Sequence, residues 1–194
     1  VKTLHPHVHA AILARRDVPG DLEELSALGI SPIDLVCVSL YPFEARAAAL
    51  EEAGAAEEID IGGVALLRGA AKNFAHVTVL HDPSQYAEAR AAFERGGATL
   101  EERRRWAISA FARTASYDAA IAADLARRSG GEAAPPVRVI ALERVRSLRY
   151  GENPDQAAAL YAPASEGARL EAWKEGKELS YNNLLDLAAA LNFL

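Results

Sequence analysis

Two short and almost wholly apolar runs, Ile33 to Leu40 and Val77 to Leu80, stand out in the first two-thirds of the chain, and segments of helical period lie between and after them. A continuous apolar run of strand length is what a central parallel strand needs when both of its faces are covered. Such runs alternating with helical segments predict α/β layering around a mainly parallel sheet. With 51% hydrophobic and 25% charged residues in 194, the chain can build one full core and part of a second.

Asp21 to Leu28 reads as a short helix stopped by Gly29, Glu44 to Ala53 as a helix ended by Gly54, and Val64 to Lys72 as one entered through Gly62-Gly63. Thr99 and Glu102 form a capping box for a partly amphipathic helix toward Arg113, and Ser116 or Asp118 caps the next one, to about Arg128. Ser129 to Pro136 has linker composition, which puts a domain boundary there or shortly after; Val137 to Leu142 then reads as a strand. A last helix follows Glu178 to Asn183 and stops in mid pattern at Leu194. That ending and the absence of methionine make both termini read as cuts.

No apolar run approaches the roughly 20 residues that cross a bilayer, and Val1 to Pro6 has no signal-peptide pattern, so a cytosolic protein is expected. The net charge of −6 disfavours broad nucleic-acid binding. Cys37, the single cysteine, lies in an apolar run and is expected to be buried as a small hydrophobe.

Ligands of open α/β sheets bind beyond the carboxyl ends of the strands. Three segments qualify: Ser39 to Pro42 after the first apolar run, Ile59 to Gly63 before the Val64 helix, and Lys2 to Pro6. Gly62-Gly63 allows close approach of backbone to a ligand, and the helix start behind it offers free N–H groups; a plain tight turn explains the same pair. Asp60 precedes it, and Arg68 and Lys72 follow at a spacing that shares one helix face. Asp60 and Lys72 in one cleft can divide acid and base duties. The alternative is a solvated basic face with Asp60 as a helix cap.

His5, His7 and His9 would share one face of a strand and hold a metal there, but Pro6 interrupts the strand pattern, and packing or substrate hydrogen bonds are the competing roles. Arg149-Tyr150 pairs a guanidinium with a ring, which suits a phosphate and a heterocycle; a surface Arg beside a packed Tyr is the plainer reading.

Taken in order, Val1 to Pro6 with Val8-His9, Leu40 to Phe43, Ile59 to Gly63, Leu66 to Arg68 with Ala70 to Asn73, Leu148 to Gly151, Asn153-Pro154 and Leu179 to Asn183 resemble one family. It is the bifunctional aminoimidazole carboxamide ribotide (AICAR) formyltransferase/inosine monophosphate (IMP) cyclohydrolase of purine biosynthesis. The resemblance covers nearly the whole chain, as an internal fragment. It implies a methylglyoxal-synthase-like ring-closing domain over residues 1–142, incomplete at its N-terminus, and the start of a cytidine-deaminase-like transferase over 143–194.

The same resemblance implies Lys2 and Thr3 as substrate phosphate contacts with Val1 beside them, Val38 and Ser39 as nucleotide binders, and Tyr41 at the active-site edge. Asp60 with Ile61 would bind the carboxamide region, Lys72 would transfer a proton, and Arg149 and Tyr150 would bind the ribotide in the transferase site. It also implies 10-formyltetrahydrofolate as co-substrate of the transferase half, no cofactor or metal for ring closure, and a homodimer. The chain departs from the family pattern at Ser39 for Asn, Asp155 for His and Gly69 for Ala. With the family's early phosphate loops before Val1 and its Lys-His pair beyond Leu194, the fragment alone is expected to lack transferase activity and to close rings weakly. A nucleotide- or anion-binding regulatory module is the alternative, since folds of this kind also serve as allosteric sensors; a purely structural piece would bind no nucleotide.

Overall fold

The structure, a computed structural model, describes residues 4–130, 135–163 and 178–191. Two compact units divide the chain, Val1–Pro136 and Val137–Leu194. Helices α1 (Pro6–Leu13), α2 (Pro19–Ala27), α3 (Phe43–Arg46), α4 (Glu52–Glu57), α5 (Gly62–Lys72), α6 (Tyr86–Glu94) and α7 (Leu100–Arg128) belong to the first, with strands β1 (Leu35–Cys37) and β2 (Thr78–Leu80). β1 and β2 run parallel, with Val36 opposite Val79, so α3 to α5 form the crossover between them. A mixed α/β fold with a small parallel sheet results.

The core lies where α5 packs against α7, α1 and both strands. Leu67, Ala70 and Ala71 recur at helical spacing on α5 and meet Ile12, Val79, Trp106 and Ala110, all fully or almost fully buried. Asn73 closes this contact, because its Nδ2 donates to the carbonyls of Ile12 (2.8 Å) and Ala14 (3.0 Å). Those oxygens end α1 without helical partners, and the buried amide satisfies them.

β1 is shorter than its apolar run and is covered on one face. Ile33 gives its N–H to Ala11 at the end of α1, outside the ladder. Side chains alternate across a strand, so Val36 enters the core while Leu35 and Cys37 face outward into a cavity of about 570 Å³ with Tyr86 and Phe93. Cys37 is therefore exposed rather than buried, with its thiol 3.3 Å from the Tyr86 hydroxyl.

Other segments also differ from the sequence reading. The helix expected over Glu44 to Ala53 breaks into α3, a 3₁₀ turn at Ala47–Ala49, and α4, which contains Gly54 instead of ending before it. The Arg128 guanidinium, arriving from the end of α7, takes the carbonyls of Ala47 and Leu50 at the break. The two helices expected after Thr99 are one, because the buried stripe Trp106, Ala110, Thr114 and Tyr117 continues at helical spacing to the partly buried Ile121, past Ser116 and Asp118. Its capping box is present: Glu102 N–H donates to Thr99 Oγ1, and Thr99 N–H to Glu102 Oε2. α1 replaces the strand considered for the histidines, with His5 as its N-cap. Residues two apart on a helix diverge by about 200°, so His7 and His9 do not share a face.

In the second unit Val137 to Leu142 is not a strand: Val137, Val139 and Ile140 are exposed. The strands are β3 (Glu143–Leu148) and β4 (Ala158–Ala162), antiparallel with an irregularity between Arg144 and Arg146. Helix α8 (Tyr181–Leu191) follows, entered through Ser180, whose Oγ accepts the Asn183 N–H while Asn183 Oδ1 accepts the Ser180 N–H. Among the described residues no helix is long and apolar enough to cross a membrane.

Candidate functional site

The segment after β1 and the segment before α5 meet. Tyr41 N–H points at Asp60 Oδ2 (3.4 Å), and Gly63 N–H donates to Asp60 Oδ1 (2.7 Å). Asp60 thus caps the first turn of α5 and adds a carboxylate at its positive end. Only a glycine permits this at residue 63: a Cβ there would lie 2.5 Å from Asp60 Oδ2. Ile61 (63% accessible) and Tyr41 (56%) flank the carboxylate and are open to a ligand. Ser39 is exposed and Val38 half-buried on the same β1 exit; Val38 N–H donates to Leu80 O and so extends the ladder to the site.

Tyr117 stands behind both segments. Its hydroxyl accepts the Asp60 N–H (2.8 Å) and donates to the Glu58 carbonyl (3.2 Å), while its ring meets Phe43 edge-on at 6.2 Å. Arg113 lies over the ring at 5.5 Å and pairs with Glu44 at 2.7 Å. Burial pushes the Tyr117 phenol above its ordinary value, so it remains a donor. Burial also acts on Glu44, but Arg113 and backbone hydrogen bonds hold that carboxyl below its usual range.

Lys72 is placed elsewhere. It is exposed in the last turn of α5, and at 1.5 Å per residue that helix is about 16 Å long. Asp60 and Lys72 therefore occupy opposite ends of α5 and do not converge as a hydrogen-bonded acid–base pair. Arg68 shares the exposed face with Lys72 and stacks on Phe111 at 5.6 Å. Val1, Lys2 and Thr3 lie outside the described residues. In the second unit Arg149 covers the Tyr150 ring at 4.8 Å, and its guanidinium donates to the Tyr150 hydroxyl. The pair is fixed by Arg149 N–H to Leu179 O and Tyr181 N–H to Tyr150 O. Asp155 is exposed in the loop that follows.

Sequence reasoning missed Tyr117 and His81. His81 leaves the carboxyl end of β2 with Nε2 2.7 Å from Ser109 Oγ, and burial holds its pKa below the ordinary value. Nothing in the local pattern marks either residue, since each acts on a partner distant in sequence. Among the described residues no cluster of His, Cys, Asp and Glu is arranged to hold a metal.

The fold and this geometry define an α/β protein with a carboxylate-bearing helix start at the exit of a parallel strand. Comparison with known proteins narrows that class. The family model for the AICARFT/IMPCHase bienzyme matches residues 70–194, and the chain belongs to that family. It is 55% identical over 98% of its length to the bifunctional purine biosynthesis protein PurH of Chloroflexus aurantiacus, of which it covers 36%. The Myxococcus xanthus protein of the same name is 47% identical over all of the chain, which covers 39% of it. The chain thus spans little more than a third of these relatives. A solved structure, described as the crystal structure of ForH, aligns with a TM-score of 0.56 at 40% identity, over 64% of this chain and 67% of that one.

Proposed function

We propose that the protein carrying this chain works in purine biosynthesis, closing the formylated AICAR to IMP, and that in its complete form it also transfers the formyl group from 10-formyltetrahydrofolate to AICAR. Residues 1–142 form the ring-closing part, of methylglyoxal-synthase-like fold, and 143–194 open a cytidine-deaminase-like transferase. Its ligands are purine ribotides, and the enzyme acts as a cytosolic homodimer. The observation that carries this reading is the Asp60 carboxylate, fixed at the start of α5 beside Tyr41 on the exit of β1. Family membership supports it and does not favour a binding-only regulatory module.

In the reaction the carboxamide nitrogen attacks the formyl carbon and a C–N bond forms. The formyl oxygen then leaves as water, with one proton from the carboxamide nitrogen and one from the formamido nitrogen. Asp60 and Ile61 hold the carboxamide, with Tyr41 at the edge, so that nucleophile and electrophile start in contact. Val38 and Ser39 hold the nucleotide, and Val1, Lys2 and Thr3 its phosphate. Lys72 is the proton-transfer residue on its match to the family motif; given its distance from Asp60, the two act on different groups. Arg149 and Tyr150 bind ribotide in the transferase site. Lys72→Ala in the full-length protein is expected to slow ring closure at least about 100-fold, as loss of a general acid or base does. Unchanged turnover would point to binding without catalysis.

A further inference from the structure

We infer that Tyr117 is a positioning residue for ring closure, acting through Asp60; this rests on the reading of Asp60 given above. Tyr117 is fully buried, so it touches no substrate and its effect passes through what it holds. It holds both halves of the site. Phe43, fully packed against its ring, fixes the chain two residues beyond Tyr41, and the hydroxyl fixes the backbone at Glu58 and Asp60. Because the hydroxyl donates to Glu58 O and accepts from Asp60 N–H, its proton has one place to be, and the Asp60 backbone one orientation. The carboxylate is then set by Gly63 N–H on Oδ1, which leaves Oδ2 toward Tyr41 N–H and the open side.

Catalytic groups lose rate steeply when displaced, by about 100-fold for a shift near 1 Å. Phe at residue 117 keeps the ring against Phe43 and removes only the two hydrogen bonds. A double-mutant cycle in the full-length protein with Tyr117→Phe and Asp60→Asn therefore tests the inference, read as kcat and KM for ring closure. Tyr117→Phe is expected to lower kcat about 10- to 100-fold with KM changed less than about threefold, and to lower it by less than about twofold further when Asp60 is already Asn. Amide exchange in the segment from Glu58 to Val64 is expected to quicken in Tyr117→Phe, a readout independent of activity. Unchanged kcat in Tyr117→Phe, or an equal loss in both backgrounds, overturns the inference while leaving the ring-closing reading intact. Wild-type turnover in Asp60→Asn alone overturns that reading and this inference with it.

Discussion

Gly63 and Gly69 share helix α5 and are required to different degrees. A methyl group on Gly63 would collide with the Asp60 carboxylate, whereas one on Gly69 would meet Ile12, Leu13 and His9 at 3.6 to 4.0 Å, which is ordinary contact. Gly69→Ala is therefore expected to stabilise the fold by about 0.5 to 1 kcal/mol, seen as a raised denaturation midpoint at unchanged slope. His81 carries a pH prediction of definite sign. Burial depresses its folded pKa below the ordinary 6.5, so its contribution is complete above that value and is lost as pH falls through the folded pKa. Denaturant melts at about pH 7 and about pH 5 should show a larger acid loss in the wild type than in His81→Asn, which keeps a polar group near Ser109 without the titration. The cap role of Asp60 was one of two readings open in the sequence, since Asp before a glycine pair and an apolar helix is a local signal. Tyr117 gave no such signal, because its hydrogen bond to Asp60 spans 57 positions.

Elements were legible in the sequence where their signals are local. The Thr99 and Glu102 box, the Gly29 stop with its φ of 65°, and the glycine entry to α5 each act within a few residues, and each holds in the structure. Three of the misreadings share one cause, which is tertiary contact overriding local pattern. Arg128 takes carbonyls that a continuous helix from Phe43 would have used, Ile33 bonds to Ala11 instead of extending β1, and Tyr117 keeps α7 whole across two residues that would otherwise cap a helix. The Asn73 bridge between α5 and α1 belongs to the same kind. Asn73→Ala strands the buried Ile12 carbonyl, leaving that of Ala14 to the Arg16 guanidinium alone, and is expected to cost about 1 to 3 kcal/mol in chemical denaturation, with faster amide exchange in α1.

Across the molecule, the division near Pro136 separates a unit that presents Asp60 and Tyr41 from one that presents Arg149 and Tyr150. Ring closure and formyl transfer are accordingly proposed to draw on different units, and a substitution in one should spare the other reaction. Asp60→Asn tests this most directly, because asparagine caps a helix about as well as aspartate and so keeps the hydrogen bond to Gly63 while removing the charge. In the full-length protein, ring closure measured from formylated AICAR should fall by about 100-fold or more, with the unfolding midpoint and the rate of formyl transfer unchanged. Wild-type ring closure in that variant would reduce Asp60 to a helix cap and contradict the account.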